Sequence, residues 1–176
     1  MSNPLDRRTA ASEHAPYYGT YVKLVPDGDV LAALAKQGKE TQKLLRALDE
    51  TKSLHRYAPD KWSIREVVGH LTDAERVFTY RALRFARADA TALPGFDQDV
   101  WAKTTNANSQ TLVSLLDDFQ ALRAATLTLF RGFDDAAWDR TGTASDNKVS
   151  VRALAWITAG HEIHHVNILK ERYLNS

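Results

Sequence analysis

The sequence predicts an all-α protein that folds as a four-helix bundle, and three observations lead to that prediction. Four long stretches repeat apolar side chains at alternating three- and four-residue steps, which is the period of an amphipathic helix. Serine or aspartate caps precede several of these stretches, and a glycine ends one of them. No stretch shows the two-residue alternation that is typical of a half-buried strand.

The first helix is predicted over residues 29–51, with Asp29 as its N-cap. Two polar residues, Gln37 and Thr41, interrupt the middle of its apolar seam. The second helix begins at Ser63, which forms a capping box with Glu66, and it is predicted to run to about residue 88.

The third helix is predicted over residues 110–131 and is stopped by Gly132. Its side chains predicted to point inward are Leu112, Leu115, Leu116, Phe119, Leu122, Leu127 and Phe130. The fourth helix is predicted from Ser150 to about Tyr173. Between helices 2 and 3 lie about 21 residues, and a crossover of that length permits the two helices to run in the same direction.

Residues 1–28 are predicted to form an N-terminal arm that packs on the bundle through Tyr17, Tyr18 and Tyr21, and residues 29–176 are predicted to form the bundle domain. The net charge of +1 disfavours nucleic acid as a partner, and no apolar run approaches the length of a membrane span. The sequence contains no cysteine, which excludes disulfides and thiolate metal ligands. A cytoplasmic protein is expected.

The most distinctive motif is "GHEIHH", in which His161, Glu162 and His165 match the His-Glu-x-x-His signature of zinc metalloproteases. His161 and His165 lie one turn apart on the inward seam of helix 4, whereas His164 lies on the neighbouring row. Such a pair can chelate one ion, although two hydrogen-bonded core histidines would give the same pattern. A third ligand is needed for a typical catalytic zinc site.

That third ligand is expected upstream, because only 11 residues follow His165 and none of them is a histidine. This position, and the lack of a predicted sheet edge, disfavour a metalloprotease. His14 and His55 are predicted to lie in exposed segments. His70 lies roughly 10 Å from the start of helix 2, and His165 lies roughly 12 Å from the end of helix 4. The two residues therefore share a level if helices 2 and 4 are antiparallel, which implies up-down-down-up order.

Two segments, "DKWSIREVVGHLTDAERVFTYRALR" and "RALAWITAGHEIHHVNILKERY", give the chain a resemblance to the DinB/YfiT-like metalloenzyme family of the DinB superfamily. The resemblance implies a four-helix bundle with up-down-down-up topology. It also implies that His70, His161 and His165 hold a divalent metal ion, with nickel or zinc the usual choice. Family members include hydrolases and S-transferases that use low-molecular-weight thiols, and a homodimer is also expected.

Several further residues are candidates near such a site. Glu162 is a candidate general base, or else an interhelical charge, and Asp73 is a candidate partner of His70. Thr41 is predicted to line a substrate cavity. Arg81 and Arg84 are candidates for binding an anionic substrate, or else for salt bridges between helices. The crossover residues Asp97, Asp99 and Trp101 are predicted to shape the cavity mouth or to pack the crossover.

The function expected from the sequence is a metal-dependent enzyme that acts on a small molecule, either a hydrolase or a low-molecular-weight-thiol S-transferase. The alternative is a non-catalytic module, stabilised by its metal, that binds a small ligand or dimerises. The non-catalytic module is expected to show no turnover and to have a cavity beside the metal that is closed to solvent, whereas the enzyme is expected to turn over its substrate.

Overall fold

The computed structural model describes residues 5–174, so the first four residues of the predicted arm and the last two of the predicted domain lie outside it. Four long helices form the bundle: α1 (Val30–Arg46), α2 (Ile64–Ala86), α3 (Leu112–Arg131) and α4 (Val151–Ile168). A π-helical segment, Leu169–Leu174, continues α4. The predicted all-α four-helix fold is confirmed. No helix within residues 5–174 is long and apolar enough to span a membrane.

Short elements fill the connections. The short α-helices are Gly19–Val22, Glu50–Ser53, Gln98–Thr104 and Asp135–Asp139, and the 3-10 turns are Ala11–Glu13, Pro16–Tyr18 and Ala107–Ser109. Helix α1 ends five residues earlier than predicted, because Asp49 accepts a hydrogen bond from the Lys52 N–H and thereby caps the separate helix Glu50–Ser53.

The caps that begin the helices lie where the sequence predicts them. The Asp29 carboxylate accepts hydrogen bonds from the N–H groups of Leu31 and Ala32. Ser63 and Glu66 exchange the two hydrogen bonds of a capping box. Ser150 caps α4 by accepting from the Ala153 N–H. These local interactions fix where each helix starts, and therefore the depth of every residue along it.

Contacts between the helices fix their directions. The start of α2 meets the end of α4, where the Tyr173 hydroxyl donates to the Trp62 carbonyl, and the end of α2 meets the segment before α4, where Arg140 donates to the Ala86 carbonyl. Helices α2 and α4 are therefore antiparallel. Helix α1 is antiparallel to α3, because Arg46 contacts Asp117 and Arg123 contacts Leu34. Helix α2 is parallel to α3, because Arg65 contacts Gln110 and Arg123 contacts Glu75. Helix α1 is parallel to α4, because Gln37 contacts Ala159 and Thr41 contacts Glu162. In chain order the helices run up, down, down and up.

The connection before α4 contains two short strands, although the sequence shows no strand alternation there. Strands β1 (Thr141–Ala144) and β2 (Asn147–Ser150) form an antiparallel hairpin, and the two turn residues Ser145 and Asp146 have φ angles of +51° and +61°. Positive φ at both central residues is typical of tight hairpin turns. Strands of four residues are too short for alternation to reveal them. Leu93 of the crossover pairs with Ala144, so the crossover lies against the hairpin.

The N-terminal arm crosses α4 at Gly160. Tyr21, Val22 and Val25 of the arm are buried. A Cβ atom at Gly160 would lie 2.2 Å from the Tyr21 carbonyl oxygen, so only glycine lets the two backbones approach this closely. The boundary between arm and domain at residue 28 stays a prediction.

The apolar core has two parts with a polar layer between them. One part gathers residues near the start of α4 and the end of α2, and the other gathers residues near the start of α2 and the end of α4. Between them, buried polar side chains come from all four helices: Thr41, His70, Glu75, Arg123, His161 and Glu162. This layer contains the candidate site.

Candidate metal centre

Three histidines converge from the two antiparallel helices α2 and α4. The Nε2 atoms of His70 and His161 lie 3.0 Å apart. Each of His70, His161 and His165 offers a ring nitrogen, and these three nitrogens lie within 4.8 Å of one another. In residues 5–174 no other trio of histidine, aspartate or glutamate side chains brings its ligand atoms so close. The structure thus brings together the three histidines that the sequence singles out.

Burial keeps these imidazoles uncharged. It lowers the pKa of His70 to about 4 and that of His165 to about 3, the latter helped by its neighbours His70 and His164. The pKa of His161 is also lowered well below its ordinary value, by burial first and then by the rings of His165, His70 and His164. Since a metal binds the neutral imidazole, the cluster needs no deprotonation at neutral pH before it can bind an ion.

The donor set fits a divalent transition metal. Nitrogens bound tetrahedrally at about 2.0–2.1 Å from one ion are roughly 3.3 Å apart. The 3.0 Å between the Nε2 atoms of His70 and His161 is close to that value, and all three ring nitrogens lie within 4.8 Å of one another. Imidazole donors suit zinc, nickel, copper and iron, whereas calcium and magnesium prefer oxygen. The three residues present can therefore hold such an ion with small side-chain adjustments.

Aromatic rings enclose the cluster. The Trp62 ring lies 4.8 Å from the His70 ring and stacks 6.4 Å from the His165 ring. Tyr21 and Phe78 meet His161 edge-on at 5.4 and 5.7 Å. These contacts restrict rotation of the imidazoles and exclude water from their faces. His164, the flanking histidine of the motif, is half-buried and packs its ring against Tyr21 and His165 instead.

Glu162 belongs to a buried ion-pair network that faces away from the histidines. Its carboxylate accepts hydrogen bonds from the Thr41 hydroxyl at 2.7 Å, from Arg123 at 2.8 Å and from the Gln37 amide. Arg123 also binds both oxygens of Glu75, at 2.7 and 2.9 Å. Since residue 162 lies about 100° around α4 from His161, its side chain points to α1 and α3.

The structure gives Glu162 the interhelical bonds that are one of its two predicted alternatives. Thr41 donates to Glu162 and also lines the larger groove between α1 and α4, so its role in substrate binding stays a prediction. Sequence reasoning missed Arg123 and Glu75. It placed Leu122 and Leu127 inward, yet these are only half-buried, whereas Arg123 and Thr126 are buried. The missed signal was that residue 123 follows Phe119 by four on the inward row of α3.

Other candidate residues have partners of their own. Asp73 lies 3.6 Å from Arg76, with no bond to His70. Arg84 binds Asp89 and the Tyr80 hydroxyl. Asp97 caps the short helix Gln98–Thr104, and Trp101 packs 4.6 Å from Phe96. Arg81 is buried and donates to the Pro94 carbonyl at 2.8 Å and the Ser145 hydroxyl at 3.0 Å.

Two cavities adjoin the histidine cluster on different sides. A cavity of about 180 Å³ contacts His70 and His161, and we call it the aromatic cavity because its wall contains Tyr17, Tyr18, Tyr21, Phe78 and Phe96. A second cavity, of about 200 Å³, contacts His165 and Trp62, and Asp60 and Asp99 also line it. A larger groove of about 700 Å³ lies between α1 and α4, on the side that Glu162 faces. The two smaller cavities are the ones that reach the histidines.

Comparison with known proteins places this fold in a family. The sequence-family model that describes the DinB superfamily matches residues 33–169 of this chain. The chain belongs to the DinB superfamily. A protein of Oceanobacillus iheyensis, provisionally named as a metal-dependent hydrolase, is 25% identical over 130 residues, which cover 72% of this chain and 73% of that protein.

Two solved structures of Bacillus subtilis proteins share the superfamily fold. One is YfiT, described as a probable metal-dependent hydrolase with an unusual four-helix bundle topology. Its TM-score is 0.69 at 17% identity, over 97% of this chain and 93% of YfiT. The other is the DinB-like protein YjoA, with a TM-score of 0.60 at 18% identity, over 83% of this chain and 90% of YjoA. At these identities the likeness concerns the fold.

Proposed function

We propose that this protein is a metal-dependent hydrolase that acts on a small molecule, with His70, His161 and His165 as the ligands of a divalent ion. The observation that carries the proposal is the convergence of three neutral imidazoles, within 4.8 Å of one another, beside two cavities. The names of the Oceanobacillus iheyensis and YfiT proteins support the same activity.

The ion would supply the hydrolytic nucleophile, since three uncharged ligands leave its full charge to lower the pKa of bound water toward 7. The chain's own residues set the conditions for that chemistry. His161 and His165, one turn apart on a rigid helix, fix two donors, and His70 adds the third from α2. The rings of Trp62 and Tyr21 pack against the imidazoles and restrict their rotation.

We assign proton transfer to the side of the cluster that contains carboxylates. Asp99 and Asp60 line the cavity beside His165, whereas no carboxylate lines the aromatic cavity among the described residues. Glu162 is committed to Arg123, Thr41 and Gln37 and is therefore not assigned as the base. Asp99 replaces it as the candidate proton acceptor.

Metal analysis of protein purified without a nickel column tests the proposal. We expect close to one equivalent of zinc or nickel in the wild type, and loss of that metal in His70→Ala and in His161→Ala. His164→Ala is the matched control, since it removes a neighbouring imidazole that lies outside the trio, and it should keep its metal. Equal metal content in all four proteins, or none in the wild type, would reject the site.

A thiol S-transferase is the second candidate, and the observation that favours it is the presence of two cavities on different sides of the cluster. Such an arrangement offers separate places to a thiol and an electrophile. The protein has no cysteine, so the thiol would be a cosubstrate. A steady-state assay decides between the two activities: a hydrolase turns over esters or amides without added thiol, whereas a transferase requires the thiol stoichiometrically.

The non-catalytic alternative predicts bound metal without turnover in either assay. The preference for zinc or nickel stays a prediction from the imidazole donors, and ion competition followed by elemental analysis checks it. A homodimer and a cytoplasmic location also stay predictions. Light scattering of the metal-loaded protein measures the first, and fractionation of the native host measures the second.

A further inference from the structure

Buried arginines in this protein normally have a carboxylate partner. The described part of the chain buries four arginine residues, and for three of them a carboxylate oxygen lies within 4.0 Å: Arg65 with Glu50, Arg123 with Glu75 and Glu162, and Arg152 with Glu13 and Asp139. Arg81, which is 3% exposed, departs from this pattern. Its bonds go to two uncharged oxygens, those of Pro94 and Ser145.

An arginine buried without a counter-charge is costly, because its desolvation is not offset by attraction to an anion. The two neutral acceptors satisfy only part of the guanidinium, which has five N–H groups. Both acceptors belong to connections between the helices, Pro94 to the crossover and Ser145 to the hairpin turn. A positive charge is thus held at the place where the crossover and the hairpin meet α2.

Ser145 connects this charge to the aromatic cavity, which it lines together with His70 and His161. Its φ of +51° is uncommon for a residue other than glycine, and it is maintained by a hydrogen bond from the Ser145 N–H to the Leu93 carbonyl. The Ser145 hydroxyl oxygen accepts from Arg81 at 3.0 Å, and its own hydrogen has no acceptor among the described residues. That hydrogen remains able to donate to a ligand.

The aromatic cavity has a composition that suits one kind of ligand. Its wall is formed by tyrosine and phenylalanine rings and by the imidazoles of His70 and His161. Gln98 and Ser145 add an amide and a hydroxyl, and within residues 5–174 no carboxylate, lysine or arginine side chain lines it. Its volume of about 180 Å³ is below the roughly 300–1,000 Å³ of sites for drug-sized ligands, so it takes a body of about one ring. The guanidinium of Arg81 donates to the Ser145 hydroxyl, so a cation lies directly behind one polar group of the cavity wall.

We propose that the aromatic cavity binds a small carboxylate with an apolar body, whose charge is recognised by the Ser145 hydroxyl and the Arg81 guanidinium behind it. The substrate class is therefore a small acid and not a neutral or cationic compound. The proposal deepens the proposed function and rests on it for the reaction, but the binding step itself requires no metal. Arg81 is a candidate for binding an anionic substrate from the sequence, and this proposal assigns it to the aromatic cavity through its bond to Ser145.

The test compares benzoate with its neutral isostere benzamide, by calorimetric titration of metal-free protein at low ionic strength. We expect wild type to bind benzoate roughly ten-fold or more tightly than benzamide, since hydrogen bonds to a charged group are about twice as strong as neutral ones. Arg81→Gln should abolish this preference and leave benzamide binding unchanged. Arg84→Gln is the matched control: the same change one turn along α2, at an arginine paired with Asp89, should keep the preference.

Ser145→Gly covers the case in which Arg81→Gln does not fold, because glycine adopts a positive φ without strain while the hydroxyl is lost. It should reduce the preference for benzoate several-fold. No benzoate preference in the wild type, or equal preference in Arg81→Gln and wild type, would overturn the proposal. So would a preference that appears only after zinc is added and persists in Ser145→Gly, since the carboxylate would then bind the ion.

The two proposals can fail separately. Metal content is measured on the same preparations before the metal is removed. A protein that holds no metal but keeps an Arg81-dependent preference for benzoate contradicts the proposed function and supports the carboxylate site. A protein that holds metal and shows no such preference contradicts the carboxylate site alone.

Discussion

Replacing Arg123 with methionine should destabilise the protein strongly, because it leaves two carboxylates buried without their cation. Arg123 is 5% exposed, and Glu75 and Glu162 are 3% and 2% exposed. The guanidinium binds Glu75 through two nitrogens at 2.7 and 2.9 Å, and it binds Glu162 and the Leu34 carbonyl at 2.8 Å each. Burial alone would lower the pKa of Arg123, but Glu162 and Glu75 together raise it above its ordinary value.

The magnitude follows from this geometry. Removing one partner of a buried ion pair costs about 3–5 kcal/mol, because the remaining charge stays desolvated. For a chain of this size each kcal/mol lowers the Tm by about 2–4 °C, so the expected fall is about 6–20 °C. Typical domains are stable by only about 5–15 kcal/mol, so the variant should lie near the limit of folding. Thermal unfolding followed by circular dichroism at neutral pH measures the change.

Two further variants test whether the loss of stability comes from the buried ion-pair network or from the loss of any arginine. Arg76→Met removes an exposed arginine from α2 that pairs with Asp118, and it should cost less than about 1 kcal/mol. Combining Arg123→Met with Glu75→Gln and Glu162→Gln removes the uncompensated charges and should recover at least half of the lost stability. A loss below about 1 kcal/mol in Arg123→Met, or no recovery in the triple variant, would refute the reasoning.

Two other predictions concern the arm and the metal. Gly160→Ala should cost about 1–3 kcal/mol, since the new Cβ would lie 2.2 Å from the Tyr21 carbonyl oxygen, and it should raise amide hydrogen exchange in the arm; an unchanged Tm would contradict the close crossing. Removing the metal with a chelator should lower the unfolding free energy, by about 2.7 kcal/mol when the free ion had been present at one hundred times its Kd. The same chelator should leave the Tm of His161→Ala unchanged, and an equal fall in both proteins would contradict binding by the trio.

The histidine trio illustrates how far local geometry leads. His161 and His165 share a face because any α-helix places residues four apart one above the other. Their match to His70 also needed the relative direction of α2 and α4, because His70 lies at their level only if the two helices are antiparallel. The family resemblance implied that direction. The structure then brings the Nε2 atoms of His70 and His161 to 3.0 Å. That part of the site was predictable because periodicity and end signals are properties of short segments.

The role of Glu162 was not predictable in the same way. The sequence allowed it to be a base or an interhelical charge, and the choice depended on which side chains met it from other helices. Its partners Thr41 and Arg123 are 121 and 39 residues away in sequence, and nothing in the local pattern of α4 specifies them. The same holds for Arg81, whose lack of a carboxylate partner becomes visible only when the crossover and the hairpin are in place.

The sequence by itself determined the four helices, most of their ends and the spacing of the three histidines, because hydrophobic period, capping and helical rise act over a few residues. The tertiary structure alone decided which buried charges compensate one another and which remains unpaired. It also decided that the connection before α4 forms a hairpin and places Ser145 against Arg81 and the aromatic cavity. Electrostatic partners and cavity walls are assembled from distant segments, so they exist only once the chain has folded.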